Sequence, residues 1–159
     1  MSLSDYEGWV REHYGKHDVM QACLSLQDSH HLMVPILLHA VWLAQHQNWR
    51  VKAQAYHRAM VLIRQFVMPL RAQRMMLRGG DIFDDAKIMR QRLKKTEITL
   101  ELDIMHGLHE ASGPDIGLDA SDVVRRHVGD MGHAKLNQDM MQCFDVIGAP
   151  YVILHPSVS

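Results

Sequence analysis

The chain has 159 residues, 47% hydrophobic and 22% charged, which suits one folded domain with its own core and excludes a disordered or fibrous chain. No run of 18 apolar residues occurs, and Met1-Ser2-Leu3-Ser4-Asp5 has neither a basic nor an apolar signal region, so neither a membrane span nor export is expected. The net charge of −1 conceals three blocks: residues 1–49 stand at −3, residues 50–95 at +9 and residues 96–159 at −7.

Ser4-Asp5-Tyr6-Glu7 reads as a capping box opening a short helix that Gly15 stops after Tyr14. Asp18 is the expected N-cap of a second helix, where Val19, Ala22, Cys23 and Leu26 form an apolar stripe that fades near Ser29-His30-His31. Pro35 fits the first turn of a third helix. From Ile36 to Ala44 that helix is apolar on every side except at His39, so it is expected at the centre of the fold.

A fourth helix is predicted over residues 51–77, with a core stripe of Val51, Ala55, Ala59, Leu62 and Phe66. Pro69 crowds the carbonyl of Gln65 and removes a donor, which predicts a kink or break. Gly79-Gly80 ends the helix, and a long fifth one restarts at Asp81 to Asp85, with Ile88, Leu93, Ile98, Leu102 and Met105 among its apolar positions. Ser112-Gly113-Pro114 terminates it. Beyond it, Asp119–Val128 and Lys135–Phe144 read as two short helices divided by Gly129 and Gly132, and Tyr151-Val152-Ile153-Leu154 as an extended apolar strap between Pro150 and Pro156.

Cys23 and Cys143 have no paired spacing, which fits a reduced compartment with buried thiols and makes the cytoplasm the expected location. The 12 Met point to an adaptable core or a partner-binding face; Met75-Met76 and Met140-Met141 are too few doublets for a metal site.

Three stretches carry a family resemblance: Ala22-Cys23-Leu24-Ser25-Leu26-Gln27-Asp28 with Leu37-Leu38 and Trp42-Leu43; Val67-Met68-Pro69-Leu70-Arg71 with Arg74; and Arg92-Leu93-Lys94 leading into Glu97. Through them residues 5–112 resemble a family of uncharacterised bacterial proteins of about this length. The resemblance implies an all-helical fold and no established activity. The chain departs from the family pattern at Met33-Val34-Pro35 and His39, where Asp-Val-Asn and an apolar residue are expected, and in its segment from 113 onward.

Arg64, Arg71, Arg74 and Arg78 fall at i, i+7, i+10 and i+14, along one side of a regular helix, and Arg90, Arg92, Lys94 and Lys95 follow on the next. Such a stripe suits bidentate anion recognition or a partner surface, unless Glu97, Glu101, Asp103, Glu110 and the acidic tail neutralise it. There is no aromatic interleaving, no glycine-rich phosphate loop and no helix-turn-helix pattern, which weighs against a dedicated nucleic-acid binder. His106, His109 and Glu110, with Asp103, form a carboxylate–imidazole group at helical spacing and are the candidate metal ligands, although no Glu-x-x-His motif supplies a second helix. His39 reads as a hydrogen-bonded core residue, or as a haem ligand if a cavity surrounds it. No Gly-x-Ser-x-Gly elbow or Ser-x-x-Lys is present, Cys23 lies on an apolar stripe, and no catalytic residue or cofactor is assigned.

The sequence therefore predicts an all-α bundle: five main helices around the 36–44 segment, two short helices and the strap. Residues 1–112 are expected to be the core domain, and 113–159 an acidic extension packing on the core or on a partner. The leading functional expectation is a non-enzymatic binding, adaptor or regulatory protein with a protein partner or a homo-oligomeric state. Its contacts would run through Arg64, Arg71, Arg74 and Arg78, or through Tyr151 and Ile153. A helical metal- or haem-binding protein or enzyme is the alternative, and a nucleic-acid binder using residues 50–95 the third.

Overall fold

The computed structural model describes residues 2–46, 48–79, 84–114 and 116–151. The fold is all-α. Helices α1 (Leu3–Tyr14), α2 (His17–His30) and α3 (Val34–Gln45) are followed by α4 (Ala53–Leu62), a π-helical turn (Ile63–Val67) and α5 (Met68–Met76). The long α6 (Asp84–Glu110), α7 (Ala120–Asp130) and α8 (Gln138–Ile147) complete the helices among the described residues.

The caps differ in register from the sequence reading. Ser2, not Ser4, caps α1: its Oγ accepts from the Asp5 N–H at 3.2 Å, and Asp5 Oδ2 accepts from the Ser2 N–H at 3.0 Å. Helix α2 starts one residue before Asp18, which sits in its first turn and accepts from the Val19 N–H at 2.9 Å. Asp119, the predicted first residue of its helix, is instead the N-cap of α7, accepting from the Asp122 N–H at 2.8 Å. That helix carries on through Gly129 to Asp130, and α8 starts at Gln138 behind an Asn137 cap rather than at Lys135.

As expected, α3 is the centre. Every residue from Pro35 to Leu43 is buried, His39 included, whereas Ala44 is exposed. Helix α7 lies along α3 and α8 along α2, and Val123, Val124, Phe144 and Ile147 share one core with Leu26, Ile36, Leu37 and Trp42. Full burial of side chains of this size is worth roughly 1.5–3 kcal/mol each, so the segment from 113 onward supplies part of the stabilising core.

A short antiparallel ladder joins Trp49–Val51 (β1) to Ser112–Pro114 (β2), pairing Arg50 with Gly113, where a helix start and a helix stop were expected. Val51 also exchanges two backbone hydrogen bonds with Leu118, at 2.9 and 2.8 Å. Gly117 makes that approach possible: at φ 83° a Cβ there would lie 2.3 Å from the Val51 oxygen.

The break expected at Pro69 is the π turn. Met68 N–H donates to Ile63 O, one residue further back than in an α-helix, and Pro69 has no N–H to restore the regular ladder. One residue too many in the turn rotates the rest of the helix by about 100°. The core positions here become Tyr56, Ala59, Met60, Ile63 and Val67, and Phe66 turns outward at 51% exposure.

Candidate partner-binding site

Helices α5 and α6 form an antiparallel hairpin whose contact is polar. Arg71 and Arg74 lie one turn apart on α5, Glu97 and Glu101 one turn apart on α6. Arg71 Nε donates to Glu97 Oε1 and Arg74 Nε to Glu97 Oε2, both at 2.7 Å, while Arg71 Nη2 reaches Glu101 Oε1 at 2.6 Å. Glu97 is buried with both oxygens engaged. Burial pushes its carboxyl up, but the hydrogen bonds from Arg74 and Arg71 outweigh it and hold it below the usual carboxylate range. Burial dominates at Glu101 and carries it up to about 7, against the pull of Arg71.

The four arginines do not share one side. Arg64 precedes the end of the π turn and donates to the Asp130 carbonyl at 3.0 Å, at the C-terminus of α7, where Tyr56 Oη also donates to Asp130 Oδ2 at 2.8 Å. Arg71, Arg74 and Arg78 instead line a groove of about 530 Å³ against the end of α2. Asp28 and His31 edge it, and Met33, Met68 and Met75 give it an apolar lining. Arg71 Nη1 rests on Met33 Sδ at 3.4 Å, and Arg78 Nη1 on Met75 Sδ at 3.5 Å.

This hairpin also holds the exposed apolar residues. Met68, Met75, Met76, Ile88, Met89, Ile98 and Leu102 are all 39–82% exposed; Phe66, on the π turn just before it, and Val146 are the other large exposed hydrophobics among the described residues. Ile88, Ile98 and Leu102, among the apolar positions of the predicted fifth helix, are thus surface residues. The buried positions of α6 are Glu97, Ile104, Met105, Leu108 and His109.

The His106–Glu110 group diverges. His106 Nε2 lies 2.7 Å from Glu7 Oε1 on α1. His109 is buried and stacked on Tyr6, with ring centroids 4.6 Å apart, and Glu110 is exposed. Among the described residues no three His, Cys, Asp or Glu side chains are grouped so as to hold a metal ion. His39 packs beside the Tyr6 and Trp42 rings, which also meet each other. Ser112 Oγ donates its single proton to Leu108 O at 2.6 Å, so at 3.0 Å it accepts from His39 Nε2–H. Burial lowers the His39 pKa to about 3, which keeps the ring neutral. The Cys23 thiol is buried and pushed up to about 12 by that burial, the state of an inert cysteine.

Sequence reasoning missed a set of histidine ties. His13 Nε2 donates to Ile147 O at 2.8 Å, His133 Nε2 to His30 O at 2.6 Å, and His30 Nε2 meets Asp139 Oδ2 at 2.6 Å. His127 accepts from the Met33 N–H at 2.9 Å. Together they knit α7, α8 and the turn between them to α1, α2 and the start of α3. The histidine count was the only signal, and it carries no pairing. Of the strap, Tyr151 is half-buried: it lies 5.8 Å from the Phe144 ring and donates to Asp145 Oδ1 at 3.0 Å, while Ile153 lies outside the described residues.

No helix among the described residues is long and apolar enough to cross a membrane. A family model described as protein of unknown function (DUF2390) matches residues 8–108, from α1 to the last turn of α6. No curated protein and no solved structure matches the chain.

Proposed function

The chain belongs to the DUF2390 family of proteins of unknown function, and we propose that it is a non-enzymatic adaptor or regulatory protein that binds another protein through the α5–α6 hairpin. One observation carries this reading: the exposed large hydrophobics are concentrated on the hairpin, next to a methionine-lined groove edged by arginines. Exposed apolar surface of this kind is costly in a free monomer and marks contact surfaces. Methionine adapts its shape to a partner side chain, and guanidinium groups suit a partner's carboxylates. The segment best matched to the groove is an amphipathic helix with acidic residues flanking an apolar face. A reduced, cytoplasmic setting agrees with two buried free thiols.

The nucleic-acid reading has less to draw on, since Arg71 and Arg74 are already matched by Glu97 and Glu101. The metal or haem reading loses its ligand set where His106 and His109 face different neighbours.

Native mass spectrometry of the protein, purified gently from its own host without chelators, tests the proposal. A stoichiometric second polypeptide is expected, and it should disappear from the Met75→Glu, Arg78→Glu double variant. A spectrum holding this chain alone overturns the reading, as does a partner that the double variant retains. A bound metal or small cofactor in place of the polypeptide moves the assignment to the metal or haem class.

A further inference from the structure

Helix α4 and the last turns of α6 run antiparallel and part to leave a groove of about 830 Å³ that shares no lining residue with the methionine-lined groove. Its two walls carry opposite charge. Lys52, His57 and Arg58 line the α4 side, Asp103 and Glu110 the α6 side, where His106 is already taken by Glu7. Among the described residues Lys52, Arg58, Asp103 and Glu110 form no ion pair within the chain. Between the walls lie Ala55, Ala59 and Gly107, and a Cβ built on Gly107 would meet nothing within 4 Å. A glycine inside a helix gives up roughly 0.5–1 kcal/mol relative to alanine, and nothing among the described residues uses the space it leaves.

A ligand of one sign would be attracted by one wall and repelled by the other. The matching surface places acid opposite α4 and base opposite α6, and this chain presents that surface itself. The Lys52 N–H donates to Ala111 O at 3.1 Å, so Lys52 and Glu110 sit at the same end of the groove. A two-fold axis parallel to α4 and α6 would lay α4 of one copy over α6 of the other at the same level. Lys52 would then meet Glu110 of the second copy, and Arg58 would meet its Asp103, with each contact made twice. We propose that the α4–α6 groove is a self-complementary surface that seats a second copy of this chain.

Sedimentation equilibrium on the full chain tests this. The wild-type protein should reach twice its 18.3 kDa chain mass. Arg58→Glu and Asp103→Arg should each weaken association at least tenfold, because each sets like charges against one another at two symmetric points. Mixing the two variants in equal amounts should restore the dimer, since both contacts are again opposite in sign in the mixed pair. Gly107→Trp, which leaves the charges alone and fills the groove, should give a folded monomer by circular dichroism. A wild-type chain that stays at 18.3 kDa overturns the proposal. So do charge variants that remain dimeric, a mixture no tighter than its components, or a folded Gly107→Trp dimer.

Discussion

His127 accepts a hydrogen bond at 2.9 Å from the backbone N–H of Met33, which lies 94 positions earlier at the buried start of α3. The bond fixes the tautomer: Nε2 is bare, so a proton added there destroys the contact.

Burial lowers the pKa of both His127 and His39 to about 3, from the ordinary 6.5. A folded pKa below the unfolded one means that the stabilisation is complete above pH 6.5 and drains away as pH falls toward 3. Each histidine should cost about 1.4 kcal/mol of stability per pH unit through that window. Urea unfolding between about pH 7 and about pH 4 should show the decline, partly offset by Glu101 above about pH 4.5, and His127→Gln should make it shallower by about 1.4 kcal/mol per pH unit. A flat profile would contradict the assignment.

Glu101 should act with the opposite sign. Its folded pKa near 7 exceeds the ordinary 4.5, so its neutral form is favoured and stability is lost as pH rises through 7. Glu101→Gln keeps an acceptor for Arg71 and removes the cost of ionising. The variant should exceed wild type by about 1–3 kcal/mol at alkaline pH, the gap closing by about pH 4.5. Paired denaturant titrations at the two pH values measure this.

Glu97→Ala should be among the most damaging single changes on the hairpin. It leaves Arg71 and Arg74 part-buried without their shared carboxylate, a loss of about 3–5 kcal/mol. Replacing both arginines with methionine in the same background should recover part of that loss, which thermal unfolding of the three variants would register.

Gly117→Ala tests the ladder. The added Cβ would strike the Val51 oxygen in a backbone conformation that side chains rarely adopt. A loss of about 2–4 kcal/mol is expected, with hydrogen exchange at Val51 and Leu118 accelerated. Unchanged protection at those two amides would show that the close approach is not needed.

Much of the helical fold was legible because its signals are local. The buried helix at 36–44, the stop at Gly15, the helix start near Asp119 and the disruption at Pro69 each depend on a few neighbouring residues. The π turn was not legible as such, because one added residue changes phase without changing composition; it moved Phe66 outward and separated Arg64 from Arg71. Helix α6 misleads for a different reason. Several of its apolar positions lie on the surface, and part of its inner face is Glu97 and Glu101, held by arginines that come from another helix. The histidine ties and the β1–β2 ladder span 60 residues or more, a distance over which periodicity says nothing.

With Val51 joined to Ser112 and Leu118, and Lys52 to Ala111, residues 52–111 leave the β1–β2 ladder and return to it at one point. The excursion is thus closed at its root, and changing the length of such a closed loop costs little: doubling it adds only about 0.6 kcal/mol. Whole helical turns could therefore be added to or removed from the far end of α5 and α6 in register, resizing the arm while α1–α3, α7 and α8 keep their places.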